Sequence, residues 1–335
     1  MAVPAYQAEQ YLEKCLGSFC HPEALPALDI IVVNDGSSDR TSEIAHRYAR
    51  RYSGSFRVID KENGGHGSAI NRAIETAKGA YFQAVDSDDW VVTENLPELV
   101  RILRNATADI VLCNYHMVDQ RSGKKQAFRT ERVPAGKELS FREFMRYPPA
   151  ARDCCYYHGM IYRTDFYRST GLLLSERIYY EDQEYATIPA YYARTVLPTD
   201  LFVYQYLVGS ANQSMSSANQ VRNMDQMERV FWTVCGFYMD HSEMPPEKKE
   251  YFLFKLSKFL ESYYAAALLK DRARDRGLRS ARQMRSLVRV RCPELSERAE
   301  RGYGVSLLLH RLHMTSECLE AVKRTKFYHA IRKQI

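Results

Sequence analysis

No stretch of this chain is apolar for long enough to cross a membrane as a helix. No C-x-x-C pair occurs among its 8 cysteines, and Cys154 and Cys155 are adjacent, so the spacing of a cysteine metal site is missing. The thiols are expected to be reduced, cytosolic and mostly buried. Met1 leads straight into a polar helical pattern, so no signal peptide is expected. There is no G-x-x-x-x-G-K-[ST] loop, which argues against a P-loop enzyme. Internal repeats and low-complexity linkers are also lacking.

What is present bounds the fold. With 335 residues, 45% hydrophobic and 26% charged, the chain can bury a sizeable core. It has room for two domains, or for one large α/β domain with an appendage. The formal net charge of +6 is unevenly spread. Residues 270–335 hold 17 Lys and Arg against 7 Asp and Glu, a net of +10, so the rest of the chain sums to −4. That asymmetry predicts a basic region facing something anionic. The 24 tyrosines concentrate between Tyr156 and Tyr206, where amphipathic packing is the first reading and a sugar or nucleotide cleft the second.

The most informative stretch runs from Lys61 to Trp90. It reads as a glycine-rich turn, a short helix, a buried strand and an acidic strand end. Ile70, Ala73, Ile74 and Ala77 recur on one helical face, and Gly79 supplies a stop. Tyr81 to Val85 is apolar enough for a core strand. It ends in Asp86, Ser87, Asp88 and Asp89, three carboxylates in four residues. Such a cluster repels itself unless water or a cation sits among the charges. Asp-x-Asp oxygens suit a hard divalent ion, Mn²⁺ or Mg²⁺, while a solvated acidic turn is the plainer alternative. Gly64, Gly65, His66 and Gly67 open the helix, where bare backbone N–H groups suit a phosphate. His66 is a candidate phosphate donor or an ordinary turn histidine.

Strand and helix alternate over the first ~90 residues. MAVPAY is a very short opening strand. Leu12, Cys15, Leu16 and Phe19 share a helical face. Asp29 to Asn34 is a β-branched run for a buried parallel strand, and Phe56 to Asp60 is another strand. Polar groups gather after these strands at Tyr6, Asp35, Asp60-Lys61 and Asp86 to Asp89. In an open parallel sheet, the carboxyl ends of the strands form the ligand crevice. Further on, helices are expected over Leu96–Leu103 and Tyr185–Tyr192 and strands over Asp109–Val118 and Leu201–Leu207. Gln120–Lys137 reads as a hairpin or loop, and from Gln220 the chain reads as all helix. Phe252, Leu256, Phe259, Leu260 and Tyr263 form a core stripe, followed by a basic helix from Arg272 to Arg289.

VPAY at 3–6, VVNDGSSDRT at 32–41, N-x-G-x-G-x-A-x-N at 63–71, AVDSDDW at 84–90, EDQEY at 181–185 and NQSMS at 212–216 together resemble a family 2 glycosyltransferase. The resemblance implies a GT-A fold: α/β, with a Rossmann-like, mostly parallel sheet flanked by helices and an α-helical C-terminal region. Residues 1–217 would form the transferase domain, with 1–95 as the nucleotide-sugar half and 96–217 as the acceptor half. Residues 218–335 would be a basic helical region.

By the same resemblance, Pro4, Tyr6 and Asp35 would hold the base and ribose of a nucleotide-sugar, by family frequency a UDP-sugar. Asp88 would ligate the metal, and Asp86 the ribose or a metal-bound water. Asp182 matches the general base of an inverting transfer, with Glu181 second; without the resemblance, Asp182 reads as an ordinary acid at a helix start. The chain departs from the pattern in three places. The opening strand is short. Ile70 stands where an arginine is common, so Lys61, His66 or Arg72 is expected at the phosphates or base, beside Gly65. Gln226 to Val230 only approaches the Q-x-x-R-W of processive synthases, which suggests single additions.

A carbohydrate or lipid-linked acceptor in the cytoplasm is therefore expected, with surface polysaccharide or glycolipid as the product. The basic C-terminal region reads as a solvated face or as a peripheral contact with the inner membrane face, and not as a nucleic-acid site. Two rival classes remain. A nucleotidyltransferase on a related fold would carry a basic glycine-rich signature near its start, and MAVPAYQAEQ has none. A non-catalytic nucleotide-sugar binder would bind without turnover.

Overall fold

The computed structural model describes residues 1–130, 132–209 and 216–315. The chain divides into two compact units, residues 1–210 with 244–248 and residues 211–243 with 249–335.

In the first unit, β1 (Ala2–Ala5), β2 (Ile30–Asp35) and β3 (Phe56–Lys61) form a parallel three-stranded sheet in sequence order. The β-branched run Ile30 to Val33 is sealed from water, as a parallel strand covered on both faces requires. Register pairs Ala5 with Asn34 and Asp35 with Lys61, so the polar strand ends lie at one edge. Short as it is, β1 is buried along its whole length. Helices α1 (Leu12–Ser18), α2 (Thr41–Arg51) and α3 (His66–Thr76) flank this sheet. The inward face of α3 is Ala69, Ile70, Ala73 and Ile74. It stops at Thr76 and not at Gly79, because Ala77 is already extended and Arg168 takes the freed carbonyls of Ile74, Glu75 and Ala77.

The expected strand Tyr81–Val85 is shorter than its apolar run. Only β4 (Tyr81–Phe82) pairs as a strand, and Ala84 then bridges to Ala2, drawn across by the Ala2 N–H to Gln83 carbonyl bond of 2.8 Å. After the acidic turn come β5 (Trp90–Val91) and α4 (Leu96–Asn105). A mixed sheet follows in the order β4-β9-β6-β10-β5. It is built on β6 (Ile110–Asp119), β9 (Met160–Arg163) and β10 (Thr195–Val208), with β7 (Lys125–Phe128) on β6 and β8 (Leu139–Ser140) on β10. Its parallel pair is β6 with β10. Strand β10 begins six residues before the expected Leu201, because Thr195 to Pro198 already pairs with β6 and β8. Helices α5 (Phe141–Phe144) and α6 (Thr164–Ser169) are short. The helix expected over 185–192 starts earlier and is broken into α7 (Asp182–Thr187) and α8 (Pro189–Tyr192) by Pro189, which cannot donate to a continuing helix.

The second unit is helical, with α9 (Ser217–Arg222), α10 (Met224–Asp240), most of α11 (Pro246–Ala265), α12 (Arg274–Arg291) and α13 (Pro293–Arg311). The aromatic stripe from Phe252 to Tyr263 is core. Gly277 lies so close to the Ala267 carbonyl that a Cβ would overlap it. Of NQSMS at 212–216, all but Ser216 lie outside the described residues.

Candidate active site

The strand ends, the glycine turn, the acidic turn and the start of α7 meet on the first unit. Asp35, 3% exposed at the end of β2, accepts the backbone N–H of Gly64 (3.0 Å) and Gly65 (2.7 Å). Lys61 adds a third bond of 2.7 Å to the same carboxylate. The N–H groups expected on a phosphate are thus organised here by Asp35, and Lys61 is its counter-charge. Gly65 has φ +88°, and a Cβ would fall 2.8 Å from the Arg177 nitrogen, so glycine is required twice over. Pro4 is buried in β1 opposite Val33, whereas Tyr6 beyond the strand end is 54% exposed. Its neighbour Gln7 laces this loop to the one after β2, through Ser37 and Ser38.

The acidic turn is held from several sides. Asp86 accepts from the Tyr157 hydroxyl (2.8 Å) and pairs with His66 Nε2 (2.9 Å). Burial pushes its carboxyl up, but His66 outweighs that and holds it below the usual range. Asp89 is 1% exposed and accepts the Tyr204 hydroxyl (2.7 Å) and the Leu207 N–H (2.7 Å). Burial, then Asp88 and Asp86, push its carboxyl well above the usual range. His158 stacks on Tyr206 at 4.0 Å between ring centres. Burial pulls its imidazole down to about 4 against the opposing charge of Asp86, which leaves a neutral ring. Asp86, Asp89 and His158 each offer a ligand atom, all within 4.8 Å of one another. Asp88, half-buried, is not one of the three.

His66 joins this turn to α7. Its Nδ1 is 2.5 Å from Glu181 Oε1, and Glu181 is 3% exposed immediately before the helix. Burial favours the neutral ring, but Asp86 and Glu181 hold the imidazole well above its ordinary value. Asp182 opens α7, half-buried, with Gln183 donating to it at 3.2 Å. Arg72 lies apart, paired with Glu75 on the exposed side of α3.

The structure therefore gathers Asp35, Lys61, Gly65, His66, Asp86 and the start of α7, with Tyr6 at the rim. Sequence reasoning missed Tyr157, His158 and Tyr204. Their only signal was the tyrosine density of that segment, which does not say which rings turn inward.

The family model for glycosyl transferase family 2 matches residues 1–170. The uncharacterized glycosyltransferase EpsJ of Bacillus subtilis (strain 168) is 31% identical over 191 residues, 56% of this chain and 54% of EpsJ, so the chain spans about half the length of that relative. YibD of Escherichia coli (strain K12), another uncharacterized glycosyltransferase, is 26% identical over 253 residues, 73% of each chain. Among solved structures, Staphylococcus aureus TarS 1–349 in complex with UDP-GlcNAc superposes with a TM-score of 0.63 at 18% identity, covering 93% of this chain and 91% of that one. The mannosyltransferase PcManGT from Pyrobaculum calidifontis, in complex with GDP-Man and Mn²⁺, gives 0.52 at 16% identity, covering 93% and 85%. Sequence match, fold and strand-end site agree: this chain belongs to glycosyl transferase family 2 and is a glycosyltransferase of the GT-A fold.

Proposed function

We propose that the chain moves a sugar from a UDP-sugar to an acceptor hydroxyl with inversion at the anomeric carbon, and that Asp182 is the general base. The observation that carries this reading is the link Glu181–His66–Asp86, with bonds of 2.5 and 2.9 Å. It sets the residue next to Asp182 within one imidazole of the donor-side acids. In the reaction, the acceptor oxygen bonds to the anomeric carbon as that carbon's bond to the diphosphate oxygen breaks. The acceptor proton passes to the Asp182 carboxylate, and the nucleoside diphosphate leaves with the bonding pair. Pro4, Tyr6 and Asp35 are assigned to the nucleoside, and Lys61 and Gly65 to the diphosphate end of the site, whereas both His66 ring nitrogens face carboxylates.

Two carboxylates and a neutral imidazole form a donor set that suits Mn²⁺ or Mg²⁺, and a buried acid crowded by two others gains from a cation. We assign the ion to the acidic turn, with Asp88 as the ligand that the family pattern implies and Asp86, Asp89 and His158 as the cluster in place. When bound, the ion offsets charge on the departing diphosphate. UDP-GlcNAc, GDP-Man and Mn²⁺ in the solved relatives support a nucleotide-sugar and a divalent ion here. The acceptor we propose is a carbohydrate or lipid-linked glycan for surface polysaccharide or glycolipid. The chain would reach it from the cytoplasm, with the basic C-terminal region against anionic membrane. No helix of the described residues is long and apolar enough to cross that membrane.

The test is thermal stability with UDP, GDP, dTDP and CMP, with and without Mn²⁺, then turnover of the matching sugar nucleotide. A Mn²⁺-dependent shift with UDP is expected, because a ligand that binds only the folded state stabilises it. Asp88→Asn should abolish that shift if Asp88 is the ligand, whereas loss in His158→Ala alone would move the ion to the observed cluster. Asp182→Asn should keep nucleotide binding and lose transfer. Undiminished transfer would remove Asp182 from its role.

A further inference from the structure

We propose that His66 is a positioning residue that fixes the start of α7, and with it Asp182, against the donor-side acid Asp86. This rests on the reading of Asp182 as base. The imidazole lies between Glu181 and Asp86 with one ring nitrogen within hydrogen-bond distance of each carboxylate, at 2.5 and 2.9 Å. Neither nitrogen is then left for a phosphate oxygen, the role that the sequence suggests. The ring acts instead as a bracket between two acids on separate elements.

The bracket does not stand alone. The Gly64 carbonyl accepts the Arg177 N–H at 2.8 Å. The Asn71 side chain exchanges two bonds with the Leu174 backbone, at 2.9 and 3.0 Å. Ser175 donates its N–H and hydroxyl to Glu184 of α7, at 2.8 and 2.7 Å. Gly67 packs so closely on this segment that a Cβ would overlap the Ser175 carbonyl and sit 3.1 Å from Glu181 Cγ. Arg177 (φ +55°) and Tyr180 (φ +75°) both hold left-handed backbone, which non-glycine residues keep only where surroundings enforce it. The segment before α7 is therefore shaped by the glycine turn of α3. Within that assembly, the His66 side chain touches both Glu181 and the acidic turn. Whatever settles the glycine turn and Asp86 also settles the base.

The two roles for His66 separate cleanly. As a phosphate ligand, its loss would weaken UDP binding more than UMP binding. As a positioning residue, its loss lowers kcat with nucleotide affinity unchanged, and only while Asp182 is present.

The experiment is a double-mutant cycle with His66→Gln and Asp182→Asn, reading kcat at saturating substrates and the Kd of UDP and UMP. A base displaced by about 1 Å is expected to lower kcat by about 10²-fold in His66→Gln. In the Asp182→Asn background the same change should lower kcat by less than about 2-fold, since residues acting as a unit are not additive. Glu181→Gln keeps an acceptor for the ring and should retain most of kcat, whereas Glu181→Leu should reproduce the His66 loss. Amide exchange gives a readout independent of turnover: residues 182–187 should lose protection in His66→Gln. Additive effects, unchanged protection of α7, or a selective loss of UDP binding would each overturn the proposal. Full transfer by Asp182→Asn would overturn the base assignment itself, and the proposal with it.

Discussion

Lys248 is 6% exposed, and its ammonium donates to the carbonyls of Ala190 and Ala193 while lying over the Phe141 ring. Those carbonyls end α8, so the lysine caps a helix from outside it. Burial pulls its pKa from the ordinary 10.5 down to about 7, with Glu247 and Asp109 opposing. The folded value lies below the unfolded one, so between these values the unfolded chain binds more protons. Stability attributable to this group should therefore rise with pH across that window, and below it the full burial penalty remains. Urea unfolding of the parent chain and of Lys248→Met checks this. Their stability difference should move in favour of the parent by about 1–2 kcal/mol between about pH 7 and pH 9. A flat difference would mean that the two carbonyls keep the ammonium charged throughout.

Among the elements, α3 matters most, because its first turn carries His66 and its last is tied down from elsewhere. Arg168 of α6 donates to the carbonyls of Ile74, Glu75 and Ala77, at 2.8, 3.2 and 2.6 Å. A guanidinium suits this position, since its planar fork reaches several carbonyls at once and favours the negative end of a helix. Arg168→Met should cost about 1.5–3 kcal/mol, the range for bonds to a charged donor. Differential scanning calorimetry should show the loss, and UDP affinity should stay within about 2-fold because the glycine turn lies at the other end of the helix. A fall in affinity matching the fall in stability would mean that the helix shifts as a rod.

How far each element was legible follows from what its pattern encodes. The run Ile30 to Val33 and the stripe Ile70, Ala73 and Ile74 announce themselves, because burial on known faces dictates both. The acidic turn is legible for the opposite reason, since three carboxylates in four residues demand an explanation. The cap by Arg168, 91 residues from Ala77, leaves no local trace. Tyr157, His158 and Tyr204 were hidden for a related reason. Whether Tyr204 faces Asp89 depends on the register of β10, which shifts twice between Pro198 and Tyr204, while Tyr157 and His158 sit in a short turn ahead of β9 whose direction no periodicity encodes. His66 was flagged by its glycines, but its two partners lie 20 and 115 residues away.

At the scale of the molecule, charge is sorted along the chain, and the helices of the second unit display it. On α12 the inward face is Gly277, Ala281, Met284 and Val288, while Arg279, Arg282 and Arg289 share exposed positions at helical spacing. Beyond them Val290 is 81% exposed, and on or after α13 Val305, Leu308 and Leu312 are 52–61% exposed. Arginines beside solvent-facing aliphatic groups suit an anionic interface, where each basic residue contributes about 1 kcal/mol. Vesicle co-sedimentation tests this with the whole chain, using phosphatidylglycerol-containing vesicles against pure phosphatidylcholine. Binding to the anionic vesicles should fall steeply between about 0.1 and 1 M salt, as the screening length drops from about 10 to 3 Å. Arg279→Glu, Arg282→Glu and Arg289→Glu together should weaken it by at least about 100-fold, three such contributions removed. The UDP shift should survive, since none of the three lies in the first unit. If the triple variant sediments like the parent, these arginines are a solvated face and the acceptor is met in solution.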